Sequence, residues 1–281
     1  MRKISQKAYA KLNLTLDCLE KRPDGYHNLK SIMHPVDLYD TVTVKKTEFG
    51  GIKVNCSLVR REENLAFKAA KLFFETKGIA DDNIEITVEK RIPLLSGLGG
   101  GSADAAAVIN ILNVLYGVGL TDEQKIGLAK KLGADVPFAL FSKTALAEGI
   151  GEKLTFLENF PRMFFVLIKP CDKGSTGEMY KMLDQRKSFD ENYTDKVLSL
   201  LKQGETVSAI KSFGNDFALC NSRGVYGRIS EIAAKKGGIA TSLTGSGPTC
   251  FSVFDNETDS TNFFNDVKQT FSFVSLAKSV G

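Results

Sequence analysis

The chain has 281 residues, of which 43% are hydrophobic and 25% are charged, and its formal net charge is +4. This composition is ordinary for a globular protein with a buried core, and the length predicts two domains. No apolar run approaches the ~20 residues that cross a bilayer, and Lys7 and Lys11 interrupt any signal-peptide core. We therefore expect a cytoplasmic protein with no membrane partner.

Charge and cysteine patterns exclude further classes. Basic doublets such as Lys45-Lys46 and Lys130-Lys131 are scattered along the chain, which is typical of solvated faces and disfavours nucleic-acid binding. The five cysteines are widely spaced without a Cys-x-x-Cys motif, and there are only two histidines. This predicts reduced thiols and excludes a disulfide framework, a zinc site of that type and a histidine-rich metal centre.

The first predicted element is a β-strand within residues 4–19, because apolar and polar residues alternate strictly from Ala8 to Leu16. One face of this strand is apolar. The other carries Tyr9, Lys11, Asn13 and Thr15. A solvated face and a functional row of polar groups explain this second face equally well.

A turn at Pro23-Asp24-Gly25 follows, with Tyr26 and His27 directly after it. The simplest interpretation is the end of a hairpin with an incidental aromatic residue and a surface histidine. Further strands are predicted within residues 29–46. An amphipathic helix is predicted to begin near Asn64 and to continue to Phe74.

The most informative stretch is a glycine-rich loop between a predicted strand at 84–90 and a predicted helix at 103–116. Glycines there can turn successive backbone N–H groups toward one point, and a helix N-terminus adds further unpaired donors. The arrangement predicts a phosphate site, although such loops often only connect elements. The loop comprises Pro93, Leu94, Leu95, Ser96, Gly97, Leu98, Gly99, Gly100, Gly101, Ser102 and Ala103.

This loop differs from two common nucleotide motifs. No Gly-Lys-Ser/Thr closes it, so it is not a Walker A motif. It also fits a dinucleotide fingerprint poorly, since Asp122, at the required distance, lies in a polar helix start.

Asp135 precedes Val136-Pro137, at a predicted break where a new helix begins with proline in its first turn. A helix N-cap is the ordinary role for such an aspartate. Thr121 is predicted to cap the preceding helix in the same manner. Residues 145–155 predict a strand pair around a glycine turn.

A boundary is predicted near residue 160, which gives domains 1–160 and 161–281. The second half opens with a continuously apolar strand at 164–168, predicted to be buried on both faces. Further predicted elements are helices at 178–183 (carrying Tyr180), 194–203, 205–212, 223–236 and 258–269, strands at 250–254 and 271–277, and a polar, mobile segment at 185–192. A second glycine-serine loop contains Thr244, Gly245, Ser246 and Gly247.

Three segments together resemble the superfamily of galactokinase, homoserine kinase, mevalonate kinase and phosphomevalonate kinase: 10–13, 93–107 and 244–248. Within it, Asp24-Gly25-Tyr26-His27 and Gly133-Ala134-Asp135-Val136-Pro137 are similar to the 4-diphosphocytidyl-2-C-methyl-D-erythritol kinases. The resemblance implies a two-domain α+β kinase with its active site in the interdomain cleft. It implies ATP-dependent phosphorylation, with Mg²⁺, of the 2-hydroxyl of a cytidine diphosphate-linked polyol, in the non-mevalonate route to isoprenoid precursors.

The resemblance also implies roles for the reacting residues. Asp135 would accept the proton of the attacking hydroxyl, and Lys11 would keep Asp135 ionised and stabilise charge on the transferring group. Asn13 would orient the substrate.

Nucleotide and substrate contacts follow from the same resemblance. The loop from Pro93 to Ala103 would hold the ATP phosphates, with Ser102 as a magnesium contact and the other metal ligands unassigned. Asn64, Leu65 and Lys90 would lie near the base and ribose of ATP. His27 would hydrogen-bond the edge of the cytosine, Tyr26 would stack on the base, and Tyr180 is the candidate for a second stacking face. The loop Thr244–Gly247 would close the site, in a monomer or a homodimer.

Two alternatives remain open at this point. A homoserine or mevalonate type of kinase would share the glycine-rich loop but would have no use for the cytosine contacts of Tyr26 and His27. A non-catalytic nucleotide-binding or RNA-binding protein would have no use for the pair formed by Lys11 and Asp135.

Overall fold

The structure is a computed structural model that describes residues 2–56, 58–80, 83–172, 174–185, 192–220 and 224–280. These residues form eleven strands: β1 Lys3–Asn13, β2 Asp17–Lys21, β3 His27–Lys46, β4 Ile52–Asn55, β5 Ile84–Glu89, β6 Ala145–Gly149, β7 Lys153–Phe156, β8 Phe164–Lys169, β9 Ala240–Leu243, β10 Cys250–Phe254 and β11 Phe273–Lys278.

The same residues form nine α-helices: α1 Leu65–Lys77, α2 Gly100–Tyr116, α3 Asp122–Lys130, α4 Val136–Phe141, α5 Thr176–Asp184, α6 Tyr193–Lys202, α7 Thr206–Lys211, α8 Val225–Ala234 and α9 Glu257–Val267. Short 3₁₀ turns lie at Arg61–Glu63 and Asp216–Cys220. None of these helices is both long and apolar enough to span a bilayer.

The chain folds into two compact units. Unit 1 comprises Met1–Lys11, Leu38–Leu94 and Gly99–Ser142, and unit 2 comprises Leu12–Asp37, Leu95–Leu98 and Lys143–Gly281. The sequence predicts one boundary near 160, whereas the chain changes unit several times, in part because the hairpin β6–β7 pairs with the first half of β3. The division into kinase domains 1–160 and 161–281 stays a prediction.

Unit 1 places helices against one face of a sheet. Strand β5 pairs antiparallel with the second half of β3 and parallel with β4. Alternate residues such as Val44 and Ile86 share a core with Phe73 of α1 and Leu112 of α2. The period-2 and period-3.6 apolar patterns of these segments therefore pack against each other, as the sequence predicts.

Helix starts in unit 1 follow their local capping signals. The Asn64 side chain accepts a hydrogen bond from the Ala66 backbone N–H at 2.9 Å and so caps α1. Thr121 caps α3 in a reciprocal arrangement with Gln124. Helix α2 begins at Gly100, three residues before the predicted start, because the left-handed Gly99 (φ 73°) already directs the chain into the helix.

In unit 2, strands β2 and β3 form the hairpin predicted around Gly25, whose φ is 86°. Cys18 pairs with Leu29 and Lys21 pairs with His27, so two residues of β2 oppose one of β3. This is a β-bulge, which bends the strand and redirects a backbone carbonyl. Residues 29–46 are part of one 20-residue strand, not several, and the predicted strand at 4–19 is divided between β1 and β2.

The rest of unit 2 contains a four-stranded antiparallel sheet in the order β11-β8-β10-β9. The central strand β8 is buried from Phe165 to Ile168, as predicted, and helices α8 and α9 contribute Ile229 and Phe263 to its core. The predicted helices are all found, with ends displaced by at most three residues. Of the segment 185–192 predicted to be mobile, residues 186–191 lie outside the described residues.

Candidate active site

In unit 1, the two residues assigned to catalysis are adjacent. The ammonium Nζ of Lys11, at the end of β1, lies 3.5 Å from Asp135 Oδ2. The Lys11 side chain is 8% exposed and that of Asp135 is 37% exposed. A buried ammonium requires a partner, while the carboxylate remains accessible to a substrate.

Asp135 occupies the N-cap position of α4, but its side chain makes no capping hydrogen bond. The ordinary structural role of such an aspartate is therefore not the one observed. Proline has no backbone N–H, so Pro137 in the first turn of α4 removes one of the donors that a capping side chain would accept from.

Gly99 lies against this pair. A Cβ atom at Gly99 would lie 3.0 Å from Lys11 Cγ and 3.8 Å from Asp135 Oδ2. The position also has a φ of 73°, which disfavours any other residue. Glycine at this point therefore allows the start of α2 to approach the lysine–aspartate pair closely.

Helix α2 presents an uncapped N-terminus. Its N-cap is Gly99, no side chain caps it, and its first turn contains no acidic residue. The first backbone N–H groups of a 17-residue helix therefore remain available, together with the positive end of its dipole. This arrangement can bind an anion such as a phosphate.

Lys90 lies beside this helix start but is paired with buried acids. Its Nζ is 2.5 Å from Asp40 Oδ2 and 2.7 Å from Asp104 Oδ2. Burial raises the pKa of Asp104 to about 7, against the lowering effect of the Lys90 charge. Leu65 lies within 3.5 Å of a Cβ built on Gly101. The predicted contacts of Asn64, Leu65 and Lys90 with a nucleotide stay predictions.

In unit 2, three segments that are distant in the sequence meet. The Asn13 backbone N–H donates to Thr244 Oγ1 at 3.0 Å. A Cβ at Gly97 would lie only 2.7 Å from the Thr244 carbonyl oxygen and 3.0 Å from that of Gly247. The Thr249 backbone N–H donates to the Ser96 carbonyl at 3.3 Å. The two glycine-serine loops are thus in backbone contact, which the sequence motifs alone do not reveal.

Of the polar row predicted on the first strand, Lys11, Asn13 and Thr15 are buried rather than solvated. The Asn13 side-chain amide donates to Ser31 Oγ at 2.8 Å, and Thr15 Oγ1 lies 2.7 Å from Thr194 Oγ1. Burial without partners would be costly, and these contacts supply partners. The role of Asn13 in orienting a substrate stays a prediction.

Sequence reasoning missed Asn215. Its side-chain amide donates to the carbonyl oxygens of Leu243 and Gly245, both at 2.9 Å, and so supports the second glycine-serine loop. No local pattern around Asn215 marks this role, since its acceptors lie about 30 residues further along the chain. Asn215 is itself buried, so these contacts are shielded from water.

The residues assigned to cytosine also lie in unit 2. The His27 and Tyr180 rings are stacked, with centroids 5.2 Å apart at 18°. His27 is buried rather than a surface residue, whereas Tyr26 is 63% exposed. Tyr180 additionally meets Phe217 edge to face. The structure therefore brings Tyr180 to His27 and leaves the Tyr26 ring accessible.

Two family descriptions match this chain. That of the GHMP kinases N terminal domain matches residues 64–143, and that of the GHMP kinases C terminal matches residues 219–272. The first range contains the glycine-rich loop and Asp135, and the second contains Thr244–Gly247.

Curated relatives extend this similarity over the whole chain. A 4-diphosphocytidyl-2-C-methyl-D-erythritol kinase of Clostridium beijerinckii is 37% identical over 279 residues, which are 98% of this chain and 99% of the relative. The enzyme of the same name from Caldicellulosiruptor saccharolyticus is 40% identical over 258 residues, 90% of this chain and 89% of the relative.

Solved structures agree with this fold. A crystal structure of a 4-(cytidine 5'-diphospho)-2C-methyl-D-erythritol kinase has a TM-score of 0.81 at 28% identity, covering 99% of this chain and 100% of that chain. A homoserine kinase from Cytophaga hutchinsonii has a TM-score of 0.77 at 19% identity, and the match covers 100% of this chain and 95% of that chain. At that identity the second likeness shows the fold alone, the α+β fold of these small-molecule kinases.

Proposed function

The chain belongs to the 4-diphosphocytidyl-2-C-methyl-D-erythritol kinase family, and from this membership we propose how its residues perform the reaction. The protein is a phosphotransferase that phosphorylates the 2-hydroxyl of 4-diphosphocytidyl-2-C-methyl-D-erythritol, a step toward isoprenoid precursors. We propose ATP as its phosphate donor.

The observation that carries the chemistry is the contact between Lys11 and Asp135 beside Gly99. Asp135 takes the proton from the substrate hydroxyl as the hydroxyl oxygen attacks the γ-phosphorus of ATP. The bond between the γ-phosphorus and the β,γ-bridging oxygen breaks, and ADP leaves with that oxygen and the electron pair of the bond. The Lys11 ammonium offsets the negative charge that develops on the transferring group. A positioned general base contributes about 10²–10⁴-fold to such a rate.

The ATP phosphates bind along the loop Pro93–Ala103, where the uncapped start of α2 supplies N–H donors. Mg²⁺ would neutralise charge on these phosphates; it binds through few protein oxygens and mostly through phosphate oxygens. The Ser102 hydroxyl in the first turn of α2 suits such a contact. Lys90 and Asn64-Leu65 complete the nucleotide contacts.

The cytidine part of the acceptor is recognised by His27, with Tyr26 and Tyr180 as stacking partners. Support for this comes from the stacking of Tyr180 on His27 and the exposure of Tyr26. Aromatic faces bind a base through stacking, while a hydrogen bond to its edge provides selectivity.

The test is ADP release from magnesium-ATP with three acceptors offered separately: 4-diphosphocytidyl-2-C-methyl-D-erythritol, homoserine and mevalonate. We expect turnover with the first alone, because neither of the others carries a base for His27 to recognise. Turnover with homoserine or mevalonate would support the kinase reaction but would show that the proposed acceptor is wrong. No ADP release with any of the three would reject the kinase assignment.

A further inference from the structure

The imidazole of His27 is engaged at both ring nitrogens. Nδ1 lies 3.0 Å from the Leu19 carbonyl oxygen, and Nε2 lies 2.8 Å from Asp184 Oδ1. Each ring nitrogen therefore already has a protein oxygen within 3.0 Å. The side chain is only 3% exposed, and Tyr180 covers one face of the ring. A ligand can therefore hydrogen-bond to this side chain only by replacing one of these two contacts.

The contact at Nδ1 is built into the hairpin. The β-bulge places Leu19 and Glu20 opposite a single residue of β3, and this turns the Leu19 carbonyl toward the ring. A carbonyl oxygen only accepts, so Nδ1 carries hydrogen and donates. Replacing this contact would require the hairpin itself to change. Nε2 is thus the nitrogen that a ligand can reach.

The contact at Nε2 comes from a partly exposed side chain. Asp184 is the last residue of α5, and its side chain is 29% exposed. Its other oxygen, Oδ2, lies 2.5 Å from Lys21 Nζ. The hydrogen bond from Lys21 holds the pKa of Asp184 below its usual range. The carboxylate therefore keeps an exposed cationic partner even when it leaves His27.

We propose that Asp184 is a specificity-determining residue whose carboxylate competes with the cytosine edge for His27 Nε2. This rests on the proposed function, because it requires an acceptor that carries a cytosine. The competition has a simple spatial basis: Asp184 Oδ1 lies 2.8 Å from the ring nitrogen that a ligand can reach, so the carboxylate and the polar edge of a cytosine cannot both contact that nitrogen. Substrate binds by displacing the carboxylate from His27, while the pair with Lys21 persists.

Steady-state kinetics test this with Asp184→Ala and with Asp184→Asn, which keeps the shape but removes the charge. Partly exposed ion pairs are weak, so we expect Asp184→Ala to lower the KM for 4-diphosphocytidyl-2-C-methyl-D-erythritol by about two- to fivefold. Asp184→Asn should give a smaller decrease. The kcat and the KM for ATP should stay unchanged.

Asp195→Ala is the matched control, since Asp195 forms a 2.5 Å contact with Lys30, another exposed lysine–aspartate pair. It should leave all three parameters at wild-type values. A cytidylyl KM in Asp184→Ala that equals or exceeds the wild-type value would overturn the competition. If the wild-type protein does not turn over this substrate at all, the proposed function fails instead.

A second measurement remains valid if Asp184→Ala is poorly folded. The chain has only two histidines, and His34 is enclosed by Thr144 and Ser279, so it serves as an internal reference in ¹H–¹⁵N spectra of the imidazoles. Adding 4-diphosphocytidyl-2-C-methyl-D-erythritol to the wild type should shift the Nε2 resonance of His27 and leave His34 unmoved. A His27 resonance that stays in place at saturating substrate would contradict the proposal.

Discussion

At the scale of single residues, the surroundings of Asp135 favour a role in proton transfer over a role in capping α4. Capping a helix is the ordinary role for an aspartate at such a helix start. The Asp135 side chain does not cap α4, yet it lies 3.5 Å from a buried ammonium and remains partly open to solvent. A carboxylate that supports no backbone group and faces a cation is suited to proton transfer.

We expect Asp135→Asn to lower kcat by about 10²–10⁴-fold, because the amide has no basic oxygen to accept the hydroxyl proton. The KM values for ATP and for the cytidylyl substrate should change little. Rapid-quench or steady-state ADP release measures the effect. Asp122→Asn is the control, since Asp122 is an exposed partner of Lys125 in α3. A rate for Asp135→Asn equal to that of the control would remove Asp135 from its role as base.

At the scale of elements, the decisive feature is the close approach of loops. Gly97 approaches the backbone of Thr244 and Gly247, and Gly99 approaches Lys11. Backbone carbonyls cannot move aside as a flexible side chain can. These glycines therefore fix where the start of α2 and the second glycine-serine loop lie within their own units.

A pair of substitutions isolates this packing effect from backbone strain. Gly97 (φ 83°) and Gly117 (φ 64°) both have left-handed backbones, but a Cβ at Gly117 meets nothing within 4 Å. Gly117→Ala should lower the free energy of unfolding by about 1–2 kcal/mol, from the left-handed conformation alone. In Gly97→Ala the new methyl group also overlaps the Thr244 carbonyl oxygen, so the free energy of unfolding should fall by about 1–3 kcal/mol more than in Gly117→Ala.

Chemical denaturation measures both variants, and ADP release reports on function. We expect turnover to fall in Gly97→Ala and to persist in Gly117→Ala. Equal losses of stability in the two variants would mean that the loop contact at Thr244 is not tightly packed.

At the scale of the whole molecule, the pH dependence of stability contains a contribution from His34. Its nitrogens contact Thr144 Oγ1 at 2.8 Å and Ser279 Oγ at 2.9 Å. Burial lowers the pKa of His34 from 6.5 to about 3. Below pH 6.5 the unfolded chain binds a proton that the folded chain does not, so acid favours unfolding.

The free energy of unfolding should therefore fall between pH 6.5 and about 3, with His34 contributing up to about 1.4 kcal/mol per pH unit. His34→Gln keeps a donor and an acceptor but removes the titration, so its stability curve should be flatter in this range. Denaturant titrations at several pH values measure how steeply the free energy of unfolding changes with pH. The difference between the two proteins at about pH 8, where His34 is neutral in both states, gives the effect of lost packing, which is subtracted. Parallel curves for the two proteins would contradict the assignment.

The sequence by itself determined the helices, several of the strands and the family-specific motifs, but not the division of residues 4–46 into three strands. Local signals include the glycine-rich loop before α2, the Pro-Asp-Gly turn, the helix start near Asn64, the cap at Thr121 and the buried strand β8. Each of them depends on backbone preferences or on periodicity within a few residues. The resemblance carried by residues 10–13, 93–107 and 244–248 likewise needed only the order of residues along the chain.

Tertiary structure alone decided what these residues contact. Asn13 and Thr15 of the polar row are buried, and Ser31 and Thr194, further along the chain, supply their partners. Asp184 reaches His27 only because α5 folds back onto the β2–β3 hairpin. Such pairings join groups that are distant in the sequence, and no propensity or period within one segment encodes them. Their physical cause is the need of buried polar groups for partners, which is met only once the chain has folded.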